Sequence, residues 1–149
     1  MGQVTSADQE IVSTRVLAAP RERVFEAFSD PTRLARWWGP KGFTNTFDEF
    51  DLRPGGAWRF VMHGPDGSAY RNASEFIEIV SPERIVFQHL EPMHRFQMTM
   101  TFVPEGGRTR LTWRMRFESA AEVERIKAFI PAANEQNFDR LAAELATMS

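Results

Sequence analysis

The sequence predicts an α+β domain: a curved antiparallel sheet of six to seven strands wrapped around a long C-terminal helix, with two short helices after the first strand. Three observations predict it. Strand and turn signals follow one another from Phe43 to Phe117, and the clearest of these strands alternate apolar with polar residues, the pattern of a sheet with one buried and one wet face. Two short helical segments, separated by Asp30-Pro31, precede that run. An amphipathic segment closes the chain and supplies a cover for the apolar face.

The first element is EIVSTRVLA (10–18), whose Val, Ile and Thr favour an extended strand. Ala19-Pro20 ends it. Proline suits a helix start, and Glu22 lies in the first turn, where the dipole favours an acid. Val24, Phe25, Ala27 and Phe28 then form a short helical apolar face through Ser29. Asp30 with Pro31 repeats the start signal as N-cap and first helical residue, which predicts a second helix over Pro31 to Trp37, ended by Gly39-Pro40.

The strands follow as TNTFDEFDL, AWRFVMH, YRNASEFIEIV, RIVFQH, FQMTMTF and RLTWRMRF. Turns at Pro54-Gly55-Gly56, Gly64 to Gly67 and Pro104 to Gly107 separate three of the pairs. In FQMTMTF, Phe96, Met98, Met100 and Phe102 face one way; in RLTWRMRF, Leu111, Trp113, Met115 and Phe117 do. Ser119 and Glu122 form a capping-box pattern that opens the final helix towards Leu145. At about 100° per residue, Val123, Ile126, Ile130, Asn134, Asn137, Phe138, Leu141, Leu145 and Met148 fall within roughly a 120° stripe. Pro131 is expected to kink or split that helix.

At 149 residues the expectation is one domain over 1–149 with an ordered core from about 10 to 146, long enough to bury roughly 70% of its unfolded surface. A net charge of −2 and scattered arginines give no footprint for nucleic acid or an anionic membrane. With no cysteine, thiolate chemistry and Cys-ligated metals are excluded. No secretory pattern and no apolar run of about 20 residues is present, so the expected location is cytoplasmic, without a membrane span. His63, His89 and His94 lack ligand spacing, so no metal or other cofactor is expected. No G-x-S-x-G, Walker loop or H-E-x-x-H occurs, which leaves no catalytic signature among Asp48, Glu49, Asp51, Arg59, His63 and His89.

The segments RVLAAPRERVFEAFSDPTRLARWWGPKGFT, DLRPGGAWRF, SPERIVFQHL and FDRLAAEL resemble the family of the activator of heat-shock protein 90 ATPase (Aha-type), within the START-like, or SRPBCC, superfamily. WWGP at 37–40 and DLRPGG at 51–56 are the most specific pieces. The resemblance implies a helix-grip (Bet v 1-like) fold with a cavity between sheet and last helix that holds apolar or amphipathic small molecules in many relatives. It also implies two alternatives, a chaperone-partner module linked to stress response and a cyclase- or hydratase-like enzyme using His89 or a nearby carboxylate. Many members carry Gly-Trp in the last helix where this chain has Ala133-Asn134, a change that leaves room and adds polarity.

The expected ligand site is therefore the inward set. From the sheet it comprises Trp58, Phe60, Met62, Phe87, His89, Met98, Met100, Trp113 and Met115; Trp38 and Phe43 wall its entrance, and Ile130, Asn134, Asn137 and Phe138 face it from the helix. Of the adjacent tryptophans, one is expected to pack while the other faces the opening. Asn134 and Asn137 interrupt an apolar stripe, and an unpaired buried amide costs about 1–3 kcal/mol. Their partners are expected to be carbonyls freed by Pro131, an ordered water, or the polar head of a ligand. The expected partners of the protein are a hydrophobic or amphipathic small molecule, a chaperone, and a second copy meeting it through a face carrying Phe47, Phe76 and Val80.

Overall fold

The computed structural model describes residues 9–93 and 95–148; His94 lies outside the described residues. Strand β1 (Glu10–Leu17) leads into helices α1 (Arg21–Ser29) and α2 (Pro31–Trp37). Strands β2 (Thr44–Phe50), β3 (Ala57–His63), β4 (Ala69–Val80), β5 (Arg84–Glu91), β6 (Phe96–Glu105) and β7 (Arg108–Phe117) follow. Helices α3 (Ala120–Ile126) and α4 (Ile130–Ala146) close the chain. All seven strands form one antiparallel sheet in the order β1-β7-β6-β5-β4-β3-β2. β2 to β7 are a meander, and β1 returns to pair with β7.

The punctuation seen in the sequence works as expected. The Asp30 carboxylate accepts from the Thr32 backbone N–H, and Pro31 occupies the first turn of α2. The Ser119 hydroxyl accepts from the Glu122 N–H at the start of α3. Of the two outcomes expected at Pro131, a split is found: α3 ends at Ile126, and Pro131 serves in the first turn of α4, where its missing N–H costs nothing. Gly56 is demanded by close approach, because a Cβ there would lie 2.0 Å from the Asp51 carbonyl oxygen. Asp51 and Arg53 form an ion pair at that turn at 2.7 Å.

Alternation in β6 and β7 places Met98, Met100, Phe102, Leu111, Trp113, Met115 and Phe117 in the core. The face expected to join two copies is a correction. Phe76 is only 2% exposed and stacks on Trp58 at 5.9 Å between ring centroids. Phe47 packs on Phe50, Trp58 and Phe60. The cause is the alternation of β4, in which Phe76 is in phase with the buried Asn72 and Ser74 and so points inward, while its neighbour Ile77 is exposed.

α4 is tied to α2 by one nearly buried carboxylate. Glu144 accepts from Arg36 at 2.9 and 3.3 Å and from Arg33 at 3.1 Å. The hydrogen bond from Arg36 is the main cause that holds the Glu144 carboxyl below its usual value; burial opposes the shift, and Arg33 adds to it. A folded-state value below the unfolded one means stability that is complete above the unfolded pKa and lost as pH falls through the folded one. Glu144→Gln is therefore expected to cost about 1–2 kcal/mol near neutral pH and to approach wild type in acid, as pH falls through the lowered folded-state value and the carboxylate is protonated. Urea unfolding of both proteins across that range checks it; a pH-independent difference would remove the ion-pair account.

Candidate functional site

The sheet and α4 do not close completely on one another. A chamber of about 420 Å³ lies between them, walled by residues of β3 to β7, by α4 and by the segment after α2. That size falls within the range of small-molecule pockets. Close packing is the norm for protein interiors, and the neighbouring apolar gap under Trp38, Trp58 and Met100 is about 10 Å³, too small to hold an ordered water comfortably.

Thirteen of the fifteen expected residues line the chamber. Trp58, Phe60, Met62, Phe87, His89, Met98, Trp113 and Met115 contribute from the sheet, Trp38 and Phe43 from the α2–β2 segment, and Ile130, Asn134 and Asn137 from α4. Met100 and Phe138 do not. Met100 points inward one step further along β6, against the small gap, and Phe138 is fully buried edge-on to Trp113 at 4.7 Å. Both serve the solid part of the core.

The two adjacent tryptophans divide their work. Trp37 is 1% exposed; its indole N–H donates to the Ala27 carbonyl at 3.0 Å, and its ring meets Phe28 edge-on at 4.8 Å. Trp38, one residue past the helix, turns into the chamber wall. It lies between Trp58 and Trp113, with centroids 5.1 and 5.3 Å away. Such tilted and edge contacts suit the ring quadrupole.

The partners of the two asparagines differ from those expected. Asn137 holds the loop: its amide donates to the Trp37 carbonyl at 3.0 Å, and its oxygen accepts from the Gly39 N–H at 3.2 Å. Gly39 has φ 102°, a conformation natural to glycine. Asn134 donates to the Ser13 hydroxyl at 3.0 Å and lies 3.5 Å from the Met115 sulfur. Neither uses a carbonyl freed by Pro131, because that proline sits in the first turn, where no such carbonyl arises.

Other α4 residues hold the same loop. Arg140 donates to the carbonyls of Arg36, Trp38, Gly39 and Pro40 at 2.9–3.2 Å. Burial pushes its guanidinium below its usual pKa. Gln136 accepts from the Lys41 N–H. Sequence reasoning did not reach these residues, since polar side chains on the edge of a stripe read as solvated surface.

The sequence also missed Asn72 and Ser74, which line the chamber from β4 at 8% and 4% exposure. A signal was available, because Tyr70, Asn72, Ser74 and Phe76 alternate along YRNASEF. Ser74 stands directly opposite His89 in the β4–β5 register. His89 stacks on Phe96 at 4.8 Å, and its Nε2 lies 3.0 Å from the Pro92 carbonyl oxygen. The other candidate acids and bases lie outside the chamber. Asp48 and Glu49 approach Arg71 and Arg59, Asp51 pairs with Arg53, and His63 lies 2.9 Å from the Thr46 hydroxyl. Among the described residues no group of three His, Asp or Glu side chains could hold a metal ion, and no helix is long and apolar enough to cross a membrane.

An antiparallel sheet curved around a C-terminal helix, with an apolar chamber between them, defines a helix-grip domain of the START-like class, a ligand-binding class of domain. Residues 18–146 match the Activator of Hsp90 ATPase homolog 1-like protein family. The chain belongs to that family. Among solved structures, a protein from Chromobacterium violaceum is similar at 30% identity and a TM-score of 0.78, over 90% of this chain and 95% of that one. A protein from Nitrosomonas europaea shares the fold at 21% identity and a TM-score of 0.86, over 95% and 96%. An AHSA1 protein from Silicibacter pomeroyi shares it at 23% identity and 0.75, over 94% and 99%. No curated protein matches the chain.

Proposed function

We propose that this protein binds a hydrophobic or amphipathic small molecule in the chamber between sheet and α4. The supporting observation is the 420 Å³ of space walled largely by apolar side chains between sheet and helix. Apolar burial supplies the affinity at about 25 cal/mol per Å² removed from water. The indoles and rings of the wall are held by one another, so the pocket is largely formed before a ligand arrives, which lowers the ordering cost of binding.

Thermal unfolding with an apolar panel (biphenyl, decanol, dodecanoate) tests this. A ligand present at about a hundred times its dissociation constant adds about 2.7 kcal/mol, a rise of roughly 5–10 °C for a domain of this size. The expected result is such a rise with at least one probe, and Met98→Trp, which fills the chamber, should abolish it. No rise with any probe would overturn the proposal.

A further inference from the structure

The polar atoms of the chamber say more about its occupant than the apolar ones do, taking the binding reading as given. Among the described residues that wall it there is no Asp, Glu, Lys or Arg, while nine of them are Phe, Tyr or Trp. A charge transferred into such a space loses its hydration without gaining a counter-ion, which is strongly unfavourable. Ring–ring contacts add to burial when the guest is itself aromatic.

Hydrogen-bonding capacity lies on β4 and on α4 opposite, and the wall also carries His89 and the indoles of Trp58 and Trp113, whose N–H groups are buried without a partner among the described residues. The Ser74 hydroxyl, in a residue 4% exposed, makes no hydrogen bond to another described residue. Asn72 donates its amide to the Tyr70 carbonyl at 3.1 Å, which fixes the orientation of the carboxamide and leaves its oxygen without a donor among the described residues. Asn134 is oriented in the same way by its bond to Ser13, so its oxygen too is an acceptor without a donor among them. Two carboxamide oxygens that can only accept, beside a hydroxyl that can accept or donate, call for a guest bearing a hydrogen-bond donor.

We infer that the chamber is built for an uncharged aromatic molecule carrying a hydroxyl group, with that hydroxyl directed to Ser74 and Asn72 on β4. The inference rests on the binding reading above and narrows it. Ser74 fixes which end of the guest enters first, and the aromatic wall receives the rest.

Matched probes test it: 4-phenylphenol, biphenyl and biphenyl-4-carboxylate, titrated into wild type and Ser74→Ala at neutral pH and followed by tryptophan fluorescence and calorimetry. The phenol is expected to bind wild type about three- to tenfold more tightly than biphenyl, the worth of one net hydrogen bond, and at least about tenfold more tightly than the carboxylate. Ser74→Ala should weaken the phenol by about three- to tenfold and leave biphenyl unchanged. Asn72→Leu, in case Ser74→Ala alters folding, should likewise reduce the preference of phenol over biphenyl. If biphenyl or decanol binds but the hydroxyl gives no advantage, or the carboxylate binds as well as the phenol, the chemical class is wrong while the binding function stands. If none of the probes binds, both fall.

Discussion

Trp38→Ala is expected to lower the stability of the protein by about 3–5 kcal/mol, the usual cost of truncating a large core aromatic. The indole is 9% exposed and touches four other rings: Trp37 at 5.6 Å, Trp58 at 5.1 Å, Trp113 at 5.3 Å and Phe87 at 6.3 Å. Removing it does more than delete buried area. The small gap beneath it and the chamber in front share Trp38 as their wall, so its loss joins them into one larger void that the sheet, fixed by its hydrogen bonds, cannot collapse to fill. Trp38→Phe keeps part of the ring contact and should cost clearly less. Urea unfolding at equilibrium, with the three proteins compared at equal slope, measures the difference. A loss below about 1.5 kcal/mol for the alanine variant would mean that the ring cluster contributes far less than its geometry implies.

That Trp38 faces the chamber while Trp37 packs behind it follows from a signal the sequence does contain. Asp30-Pro31 fixes the start of α2 and Gly39-Pro40 its end, so Trp37 is the last helical residue and Trp38 the first beyond it, and the two must diverge. The strict alternation of β6 and β7 placed Met98, Trp113 and Met115 at the wall for the same kind of reason: a period of two leaves no choice of face. What the alternation could not show was depth. Met98 and Met100 share a face of β6, and only the curvature of the sheet decides that one borders the chamber and the other solid core. Phe138 has the same history, lying on the correct stripe of α4 but over Trp113. β4 was harder to read because its inward face carries the polar Asn72 and Ser74 in phase with Phe76, and the irregularity at Phe76/Glu78 breaks the period beyond them. The asparagines of α4 were conspicuous as polar residues in an apolar stripe, yet their partners lie about a hundred positions away in the chain, and no local pattern names those.

Arg140→Met is expected to cost about 2–3 kcal/mol, with Arg140→Lys in between. One planar guanidinium reaches four carbonyls, those of Arg36, Trp38, Gly39 and Pro40, and no acidic side chain is paired with it among the described residues. The Trp38 and Pro40 carbonyls also accept from the Asn45 amide and the Phe43 N–H, but those of Arg36 and Gly39 would otherwise need water or another donor, and a positive charge there also complements the negative end of the helix. Methionine retains much of the stem packing and removes every donor, so the variant isolates the polar contribution. Lysine keeps the charge but presents a compact ammonium that cannot span the same set of acceptors. The effect should extend beyond stability. Arg140, Asn137 and Gln136 together hold the segment 36–41, and that segment supplies Trp38 and Pro40 to the chamber wall. Loosening it should raise hydrogen exchange at the Gly39 and Lys41 amides before it affects β6 or β7, the behaviour of a locally opening unit. Exchange measured on wild type and Arg140→Met separates the two levels. Uniform acceleration across the sheet would show that the clamp acts on global stability alone, and an unchanged loop together with a loss under about 0.5 kcal/mol would show that the carbonyls had no need of the arginine.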